Sequence, residues 1–553
     1  MKKLVKAYVA AGFAVAVMEL GGGAAFAAPA ISQPGKEIAD NMPSSEAEVK
    51  DNLLEKPPAA PPVQFAISNF RLEAPELYLD KAELTRILQD GMGEKRTMVE
   101  LNATLTELTR YCRQHGYPAA AAYVPAQESS DGMITIKVIP GRYGEIKIDN
   151  RSRLKEGVAN GFVKSLKSGE IIRTGKLETT LYSISDVSGT KAVGVLSPGK
   201  EFGTSDLTVR IEKGKGTSTI LYVENYGSED TGRYRYGLQH NIYDVSGNGD
   251  KVSVGTLLSN QNMHNYYANY ETIVGRGGTT LGFGFSRMDY NIIMNSGDLK
   301  GLANTISLFG HRPIYHLTNS GLKIKYGYDY RKLQDDYMGL GDVDKHSHSV
   351  YVAAEGFERR NGFVVNYEAK LTTGTLVRDS DSYLAKALFR DNETEGHYTK
   401  GEFNVTAVQR LGNRADVLVK ASGQLASRNL DGSERMYLGG ANGIRAYPQG
   451  TGSGDEGIMG TVETRFYTKV PGLVFSTYFD MGHVKYRNDG QLNGINEPAS
   501  GMTLKGWGIG LTYSKPNDWF ARLDYARRIG GDPNLSEKAQ AKGRTWFMLG
   551  KIW

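Results

Sequence analysis

The sequence predicts a mainly β protein: an antiparallel transmembrane barrel of about sixteen strands, preceded by two small α+β modules. Three observations lead to this prediction. From residue 216 to residue 553 the chain consists of segments that alternate apolar and polar side chains, separated by Gly, Asn, Asp and Ser. Tyrosine is abundant, with 32 residues against 18 phenylalanines. The stretch before residue 216 contains two successive patterns of strands and paired helices.

Residues 1–27 read as a signal peptide rather than as part of the fold. Three lysines precede a short apolar run, and a small-residue cleavage site follows at Ala25-Phe26-Ala27. A membrane anchor is the alternative, but the run ends in glycines and other small residues. Beyond residue 30 no apolar stretch reaches the roughly 18 to 20 residues that a spanning helix needs. We therefore expect an exported protein that has no transmembrane helix.

Residues 28–63 form a separate segment between the signal peptide and the first module. Ser45 and Glu48 fit a capping box, which predicts a short acidic helix over residues 44–56. Prolines within residues 57–63 end this helix and make an extended tether. The segment is either a detachable element on that tether or a disordered terminus, and the sequence leaves both open.

Residues 64–142 predict the first α+β module, in the order strand, helix, helix, strand, strand. The second helix has the clearest pattern, since Thr97 and Glu100 make a capping box and Gly116 supplies a stop. Between them apolar residues step by three and four: Met98, Leu101, Leu105, Leu108 and Cys112. Cys112 is the only cysteine, so an internal disulfide is excluded, and its place on the apolar face predicts core packing.

Residues 143–215 predict a second module with the same theme of strand, two helices and two strands. One helix carries an apolar face and the last strand alternates, with the apolar residues Leu177, Leu181, Ile184, Leu207, Val209 and Ile211. No catalytic constellation is found in either module. A small sheet covered by paired helices leaves open edges, which suit the addition of an extended strand from another polypeptide.

Residues 216–553 predict the barrel. A soluble β-sandwich also alternates and is the alternative. Against it, the apolar faces carry tyrosines towards the strand ends and the opposite faces carry charge, as an interfacial girdle and a wet lumen would. The segment 321–330 shows both faces, and the last strand ends on an aromatic residue with Phe547, Leu549 and Trp553 on one side. Helices are excluded as spans, which leaves a closed barrel.

At this point the chain resembles a known family, the outer-membrane transporters of two-partner secretion, often called TpsB proteins or haemolysin secretion/activation proteins. The first module carries "HGYPAAAAYVPAQ" and the second "LSPGKEFGTSDL", which resemble the two POTRA domains of that family. The barrel opens with "VENYGSEDTGRYRYGLQHNI", which is similar to the family's entry strand. By resemblance, the segment over residues 44–56 corresponds to the family's plug helix.

The resemblance implies the function. It predicts an outer-membrane transporter, with its POTRA domains in the periplasm, that recognises and secretes a large exoprotein in unfolded form. It implies no enzymatic activity, no cofactor and no metal. It also implies a monomer embedded in outer-membrane lipid, and recognition by the barrel-assembly machinery through the C-terminal strand that ends at Trp553. Which exoprotein is secreted stays open.

The stretch "YLGGANGIRAYPQG" resembles the sixth extracellular loop of this superfamily, which folds back into the barrel. Its tip usually reads V-R-G-Y or V-R-G-F, and here it is Ile444-Arg445-Ala446-Tyr447, with Ala446 in place of the glycine. The matching wall motif, aromatic-x-D-x-G, is present from Tyr478 through Asp480 to Gly482. The resemblance implies that Arg445 pairs with Asp480 in the lumen, with Tyr447 and Gly482 beside them.

Physical chemistry supports this pairing. An arginine in a polar, glycine-rich stretch is most often solvated, which is the alternative for Arg445. A loop tip threaded into a pore, however, buries a guanidinium that needs a fixed acceptor. Asp480 interrupts the apolar run "VFSTYF" and is expected to point inward, because a lipid-facing charge is costly near the midplane.

Three other functions are weighed against secretion. An insertase that assembles other barrels belongs to the same superfamily, but the two modules and the "LSPGKEFGTSDL" signature favour secretion. A diffusive porin would have no use for the two modules. A barrel-embedded hydrolase lacks a G-x-S-x-G elbow here. The net charge of +5 is small for 553 residues and gives no reason to expect nucleic-acid binding.

Overall fold

A computed structural model describes most of the chain after the N-terminal region. The described residues are 48–51, 64–128, 131–187, 190–228, 230–294, 297–337, 342–382, 385–386, 393–489, 491–492, 495–496, 501–531, 535 and 537–553. The predicted signal peptide, residues 1–27, lies outside them. So does most of the predicted N-terminal segment.

The first module is an α+β unit with two helices. Its elements are β2 (Gln64–Ile67), β3 (Asn69–Glu73), α1 (Lys81–Asp90), β4 (Gly93–Thr97), α2 (Met98–Gln114), β5 (Ala121–Tyr123) and β6 (Met133–Ile139). Helix α2 confirms the predicted second helix: the Thr97 hydroxyl accepts from the Glu100 amide, and Glu100 returns the bond. Strand β4, which pairs with β2 between the helices, is absent from the predicted order. Cys112 is fully buried in the core of the module, as predicted.

The second module repeats the plan. It contains β7 (Arg142–Asn150), α3 (Glu156–Val163), α4 (Thr174–Ser185), β8 (Thr190–Pro198) and β9 (Thr204–Lys213). Strand β9 lies between β8, which is antiparallel to it, and β7, which is parallel. The alternating residues of β9 and one face of α4 form the core, so the predicted pattern of strand, two helices and two strands is confirmed.

The N-terminal segment departs from the prediction. Residues Glu48–Asp51 form a strand, β1, that runs parallel to β8 with Glu48 opposite Val193 and Asp51 opposite Leu196. The predicted acidic helix is therefore wrong at these four positions, and the rest of residues 44–56 lies outside the described residues. A capping box is a local signal, and a short isolated helix is marginally stable because its nucleation is costly, whereas an open sheet edge is a ready template for pairing.

The barrel is closed and has sixteen antiparallel strands, as predicted. They are β10 (Thr217–Glu224), β11 (Arg235–Tyr243), β12 (Lys251–Ser259), β13 (Met263–Ile273), β14 (Thr280–Met294), β15 (Gly297–His316), β16 (Ser320–Tyr337), β17 (Asp342–Arg360), β18 (Phe363–Arg378), β19 (Gly396–Leu411), β20 (Ala415–Ala426), β23 (Glu456–Tyr467), β24 (Leu473–Lys485), β27 (Gly501–Ser514), β28 (Trp519–Arg528) and β29 (Gly543–Ile552). Strand β10 pairs with β29 and closes the ring. The remaining strands are short loop pairs, β21 (Met436–Tyr437) with β22 (Ser453–Gly454) and β25 (Gln491–Leu492) with β26 (Ile495–Asn496).

The two faces of the barrel wall differ in chemistry. Outward side chains are largely apolar and exposed, among them Tyr236, Leu238, Phe283, Leu308, Val350, Ile509 and Leu549. The inner face carries ion pairs such as Lys325 with Glu355 (2.6 Å) and Glu368 (2.7 Å). The alternation therefore separates a lipid-facing surface from a polar lumen. Among the residues that the structure describes, no helix is long and apolar enough to span a bilayer.

The second module touches one end of the barrel, called here the module end. The Tyr182 ring of α4 stacks on His316 at a centroid distance of 4.4 Å, and His316 Nδ1 lies 2.8 Å from Asp186 Oδ2. The Thr318 amide donates to Glu178 (3.0 Å). These contacts involve the short turn between β15 and β16. The opposite end, called the far end, carries the longer loops.

Candidate functional site: a loop folded into the barrel

The connection between β20 and β23, residues 427–455, enters the barrel from the far end. Its two legs pair through β21 and β22, with Met436 opposite Gly454. Below this pair the Leu438 amide donates to Gly452 (3.0 Å), and the chain turns at residues 440–450. Arg445 lies at the turn and is 3% exposed, so the tip of the loop is buried against the barrel wall.

The structure brings Arg445 and Asp480 together. The guanidinium donates through Nε to Asp480 Oδ2 (3.0 Å) and through Nη2 to Oδ1 (2.9 Å). The backbone amide of Arg445 also donates to Oδ2 (3.1 Å), and the Thr461 hydroxyl donates to Oδ1 (2.9 Å). Asp480 is fully buried, and these four bonds satisfy both of its oxygens. A two-point pair of this kind fixes the orientation of the guanidinium as well as its position.

Arg445 has two further carboxylate neighbours that the sequence analysis missed. Its Nη1 lies 2.9 Å from Glu463 Oε2 and 3.4 Å from Asp524 Oδ1. Arg522 donates to Asp524 (2.6 Å) and lies 3.9 Å from Glu463. The site is therefore a cluster of two guanidinium groups and three carboxylates, called here the tip cluster: Arg445, Arg522, Glu463, Asp480 and Asp524.

A signal for the missed acids was present in the sequence. Asp524 stands between Leu523 and Tyr525, which are 50% and 43% exposed on the outer face. An acid flanked by two lipid-facing residues must point into the lumen. What the alternation could not reveal is that strands β23, β24 and β28 place Glu463, Asp480 and Asp524 around one point, because the strand register is set by the whole barrel.

Two aromatic side chains contact Arg445, one at its guanidinium and one at its backbone. Its Cζ lies 3.1 Å from the ring centroid of Tyr478, which is buried. A guanidinium stacked on an aromatic face gains electrostatic stabilisation that grows when water is excluded. Trp546, on the last strand of the barrel, donates from Nε1 to the backbone carbonyl of Arg445 (2.6 Å). The tip is therefore held by its side chain and by its backbone.

Tyr447 and Gly482 each help to seat the loop. Tyr447 is buried, and its hydroxyl donates to the carbonyl of Lys505 (3.3 Å). Gly482 faces the loop: a Cβ there would lie 2.8 Å from Leu438 Cδ2 and 3.0 Å from Ile444 Cδ1. The absence of a side chain at Gly482 thus allows the loop to approach the wall closely.

Ala446 stands where the resembling family usually has glycine. The described residues with a positive φ other than glycine are Asp244, Asn262, Glu393 and Asn517, so Ala446 has an ordinary backbone conformation. Its methyl group faces Gly506 of β27, where an added Cβ would come within 2.5 Å of Ala446 Cβ. Alanine therefore fits at the tip because the wall opposite it is a glycine.

The second module presents a second site, the edge of β8 that pairs with β1. In the described residues β8 pairs with β9 on one side and with β1 on the other. The first module has a three-stranded sheet, in which β3 and β5 are the edges.

Burial raises the pKa of the Cys112 thiol to about 11, so this cysteine is a packing residue rather than a reactive thiol.

The barrel, its inserted loop and the two modules define an outer-membrane transporter of the type that secretes a protein partner. A family model for the haemolysin secretion/activation protein ShlB/FhaC/HecB matches residues 203–513, and a model for the ShlB-type POTRA domain matches residues 65–141. The chain belongs to the haemolysin secretion/activation protein family. Its function is therefore the secretion of an exoprotein across the outer membrane, and family members are transporters rather than enzymes.

Individual relatives agree with this assignment. The heme/hemopexin transporter protein HuxB of Haemophilus influenzae is 26% identical over 474 residues, which cover 83% of this chain and 82% of that protein. The hemolysin transporter protein HpmB of Proteus mirabilis is 21% identical over 382 residues, covering 65% and 64%. The solved structure of CdiB from Escherichia coli shares the fold, with a TM-score of 0.67 at 17% identity over 94% of this chain and 96% of that one.

Proposed function

We propose that the two modules lie in the periplasm as POTRA domains, capture an unfolded segment of one large exoprotein by strand addition, and pass it to the barrel lumen. The observation that carries this proposal is the pairing of β1 with β8. The edge of β8 accepts an extended segment through four register positions. An unfolded exoprotein offers many such segments, and backbone hydrogen bonds recognise them with little regard to sequence.

This mode of capture makes β1 a competitor of the exoprotein. A segment of the same chain is held close to the edge at a high effective concentration, which weakens binding of a partner to that edge. The partner therefore needs either a stronger strand or several contacts at once. The edge strands of the first module, β3 and β5, have no further strand paired with them among the described residues, and we assign the additional contacts to them.

The contact between the second module and the barrel supports the transfer step. Three short turns at the module end meet this module. The Lys155 amide donates to the Gly247 carbonyl (2.8 Å), a Cβ at Gly278 would lie 3.6 Å from Phe162 Cε1, and the Thr318 amide donates to Glu178 (3.0 Å). These contacts hold the second module, which carries β8, against the module end of the barrel. A segment released from the edge of β8 passes from there into the lumen.

The inserted loop lies in that path, and we assign the tip cluster the role of locking it. Arg445 bound to Asp480 keeps the tip on the wall, with Tyr447 and Gly482 completing the seat. A loop without this lock would move in the lumen and compete with the exoprotein for space. The lock thus keeps one side of the lumen open for the polypeptide.

The remaining partner assignments rest on the surface of the barrel. Lys551 reaches between two aromatic rings at the module end, with Nζ 5.2 Å from the Trp519 centroid and 5.3 Å from that of Trp553. Such a girdle fits a lipid interface. We assign the strand that ends at Trp553 to recognition by the barrel-assembly machinery, and we expect a monomer, since the barrel closes on itself.

A reversible cross-link tests strand capture. Lys50→Cys combined with Val195→Cys joins a register pair of β1 and β8. In oxidising medium the disulfide should hold β1 on the edge and strongly reduce secretion of the cognate exoprotein, and a membrane-permeable reductant should restore it. The single variants are the controls. Full secretion by the oxidised pair would remove the edge of β8 from the mechanism.

Deletion of residues 64–142 tests the wider proposal. The barrel should still insert and show heat-modifiable migration on gels, but secretion should be abolished. Undiminished secretion would show that the first module is dispensable and would contradict its role in capture. If cells that lack this protein lose other outer-membrane barrels, the alternative function as an insertase would be favoured.

A further inference from the structure

The inserted loop makes a second set of ionic contacts, well away from its tip. Glu434 lies in the descending leg of the loop and is 6% exposed. Its carboxylate contacts Arg331 of β16, accepts from the Tyr398 hydroxyl (2.9 Å) and lies 3.1 Å from the Lys400 ammonium. Both Tyr398 and Lys400 belong to β19. A buried acid with three donors from two strands is fixed in position.

A second acid of the same leg also binds the barrel wall. Asp431 lies 2.8 Å from the Lys345 ammonium of β17, and both side chains are 12% exposed. Asp431 also accepts from the Ser433 amide (3.0 Å), which starts the short turn at residues 432–434. The acid therefore shapes the leg and binds it to the wall at the same time.

Gln424 of β20 connects these contacts to the other leg. Its side-chain amide donates to the carbonyl of Glu434 (2.9 Å) and to that of Asp455 (3.0 Å). Asp455 in turn accepts from Arg435 (2.8 Å). Both legs are thus joined to each other and to one region of the wall where they enter the barrel.

The two sets of contacts use largely different strands of the barrel. The side chains of the entering legs bind β16, β17, β19 and β20, whereas the tip binds β23, β24, β28 and β29. Strand β24 takes part in both sets, because the Asp455 amide donates to the Lys485 carbonyl (3.1 Å). The loop is therefore fastened to the wall at its legs as well as at its tip.

We propose that Asp431 and Glu434, with Lys345, Arg331 and Lys400, form a second latch that holds the loop independently of Arg445. They are positioning residues for the transport path, and this role rests on the function proposed for the loop. The stem latch, as this set is called here, sets where the loop enters the lumen, and the tip cluster sets where it ends. Releasing one leaves the other attached.

Two cysteine probes distinguish two latches from one. Ser433→Cys reports on the stem and Gln449→Cys on the tip, each labelled from outside the cell with a membrane-impermeant maleimide. In the Glu434→Gln background the stem probe should react roughly tenfold faster, the scale set by losing a charge-assisted bond, while the tip probe is unchanged. In the Arg445→Ala background the pattern should be reversed.

Glu402→Gln is the matched control. Glu402 lies on β19, 3.4 Å from the same Lys400 ammonium, but it is part of the wall and not of the loop. Its substitution should leave both probes at the parent rate. Asp431→Asn, which breaks the contact to Lys345, should change the labelling of both probes in the same way as Glu434→Gln. Agreement between the two variants shows that the result does not come from a folding defect in one of them. Heat-modifiable migration confirms that each barrel is intact.

The proposal is overturned if Arg445→Ala exposes both probes and Glu434→Gln exposes neither, because the loop would then have a single fastening. It is also overturned if Glu402→Gln matches Glu434→Gln. Neither measurement involves the exoprotein. The labelling result can therefore be interpreted even if the proposed capture of the exoprotein by the modules is wrong. The two proposals can fail separately.

Discussion

Arg445 presents its guanidinium side-on to Asp480, so that Nε lies 3.0 Å from Oδ2 and Nη2 2.9 Å from Oδ1. The flat ring of Tyr478 lies below the guanidinium, with its centroid 3.1 Å from Cζ. Both charged residues are buried, so water does not compete for the hydrogen bonds between them. Removing one member of a buried pair typically costs about 3 to 5 kcal/mol, since the other charge is stranded.

The surrounding acids make the two sides of this pair unequal. Without Arg445, three carboxylates face one remaining guanidinium, that of Arg522. Without Asp480, Arg445 keeps Glu463 at 2.9 Å and Asp524 at 3.4 Å. We therefore expect Arg445→Ala to reduce secretion more than Asp480→Asn does, with barrel insertion intact in both. Equal defects, measured as exoprotein released per inserted barrel, would contradict this account of the tip cluster.

Arg445→Lys should rescue secretion poorly. An ammonium is a point charge and cannot reproduce the two parallel bonds or the stacking on Tyr478. The double variant Arg445→Ala with Asp480→Ala should be less impaired than the sum of the single variants, because no guanidinium or aspartate of the pair is left alone. Strictly additive defects, or near-normal secretion by Arg445→Ala, would return Arg445 to the solvated-loop interpretation.

Gly482→Ala should unseat the loop. The new methyl group would meet Leu438 and Ile444 of the loop at 2.8 and 3.0 Å, and the Met459 Cβ of the neighbouring strand at 2.8 Å. Leu438 and Ile444 must shift to relieve their contacts, and both belong to the loop, whereas the contact with Met459 Cβ has to be relieved within the wall. Secretion should fall and single-channel conductance in planar bilayers should change. Gly401→Ala on β19, where a Cβ meets nothing within 4 Å, is the matched control and should behave as the parent does.

Trp546→Phe should loosen the tip through its backbone. The change keeps an aromatic ring in the buried position and removes the Nε1 donor that lies 2.6 Å from the Arg445 carbonyl. A lost bond of this kind costs about 1 kcal/mol, and somewhat more if the carbonyl stays unsatisfied. Labelling of Gln449→Cys should rise several-fold. Trp519→Phe, a similar change on the lipid-facing surface, should leave labelling as it was.

Cys112 should be unreactive in the folded protein. Its thiol is fully buried, and burial raises its pKa to about 11, so the reactive thiolate is scarce between pH 7 and 9. A maleimide should label it only after denaturation. A cysteine introduced at Tyr78, which is 86% exposed on the same module, is the positive control. Stoichiometric labelling of native protein at pH 8 would show that the core of the first module opens readily.

Periodicity and local motifs were sufficient to predict much of this protein. Alternation along single strands predicted a barrel and told which residues face lipid, because side chains of a strand point to opposite faces whatever the strand pairs with. The capping box of α2 and its apolar face lie within one helix, so both were readable from a short stretch of chain. Arg445 and Asp480 were found because short motifs mark them.

The features that the sequence did not predict depend on contacts between distant segments. Glu463, Arg522 and Asp524 join Arg445 because the register of the closed barrel brings their strands together, and no local pattern records that register. Strand β1 follows a capping-box signal in the sequence but takes its conformation from β8. The stem latch, too, exists only where the loop enters the lumen. Each of these features obtains its hydrogen bonds or its charges from residues far away in the chain, so each arises when the barrel and modules are assembled.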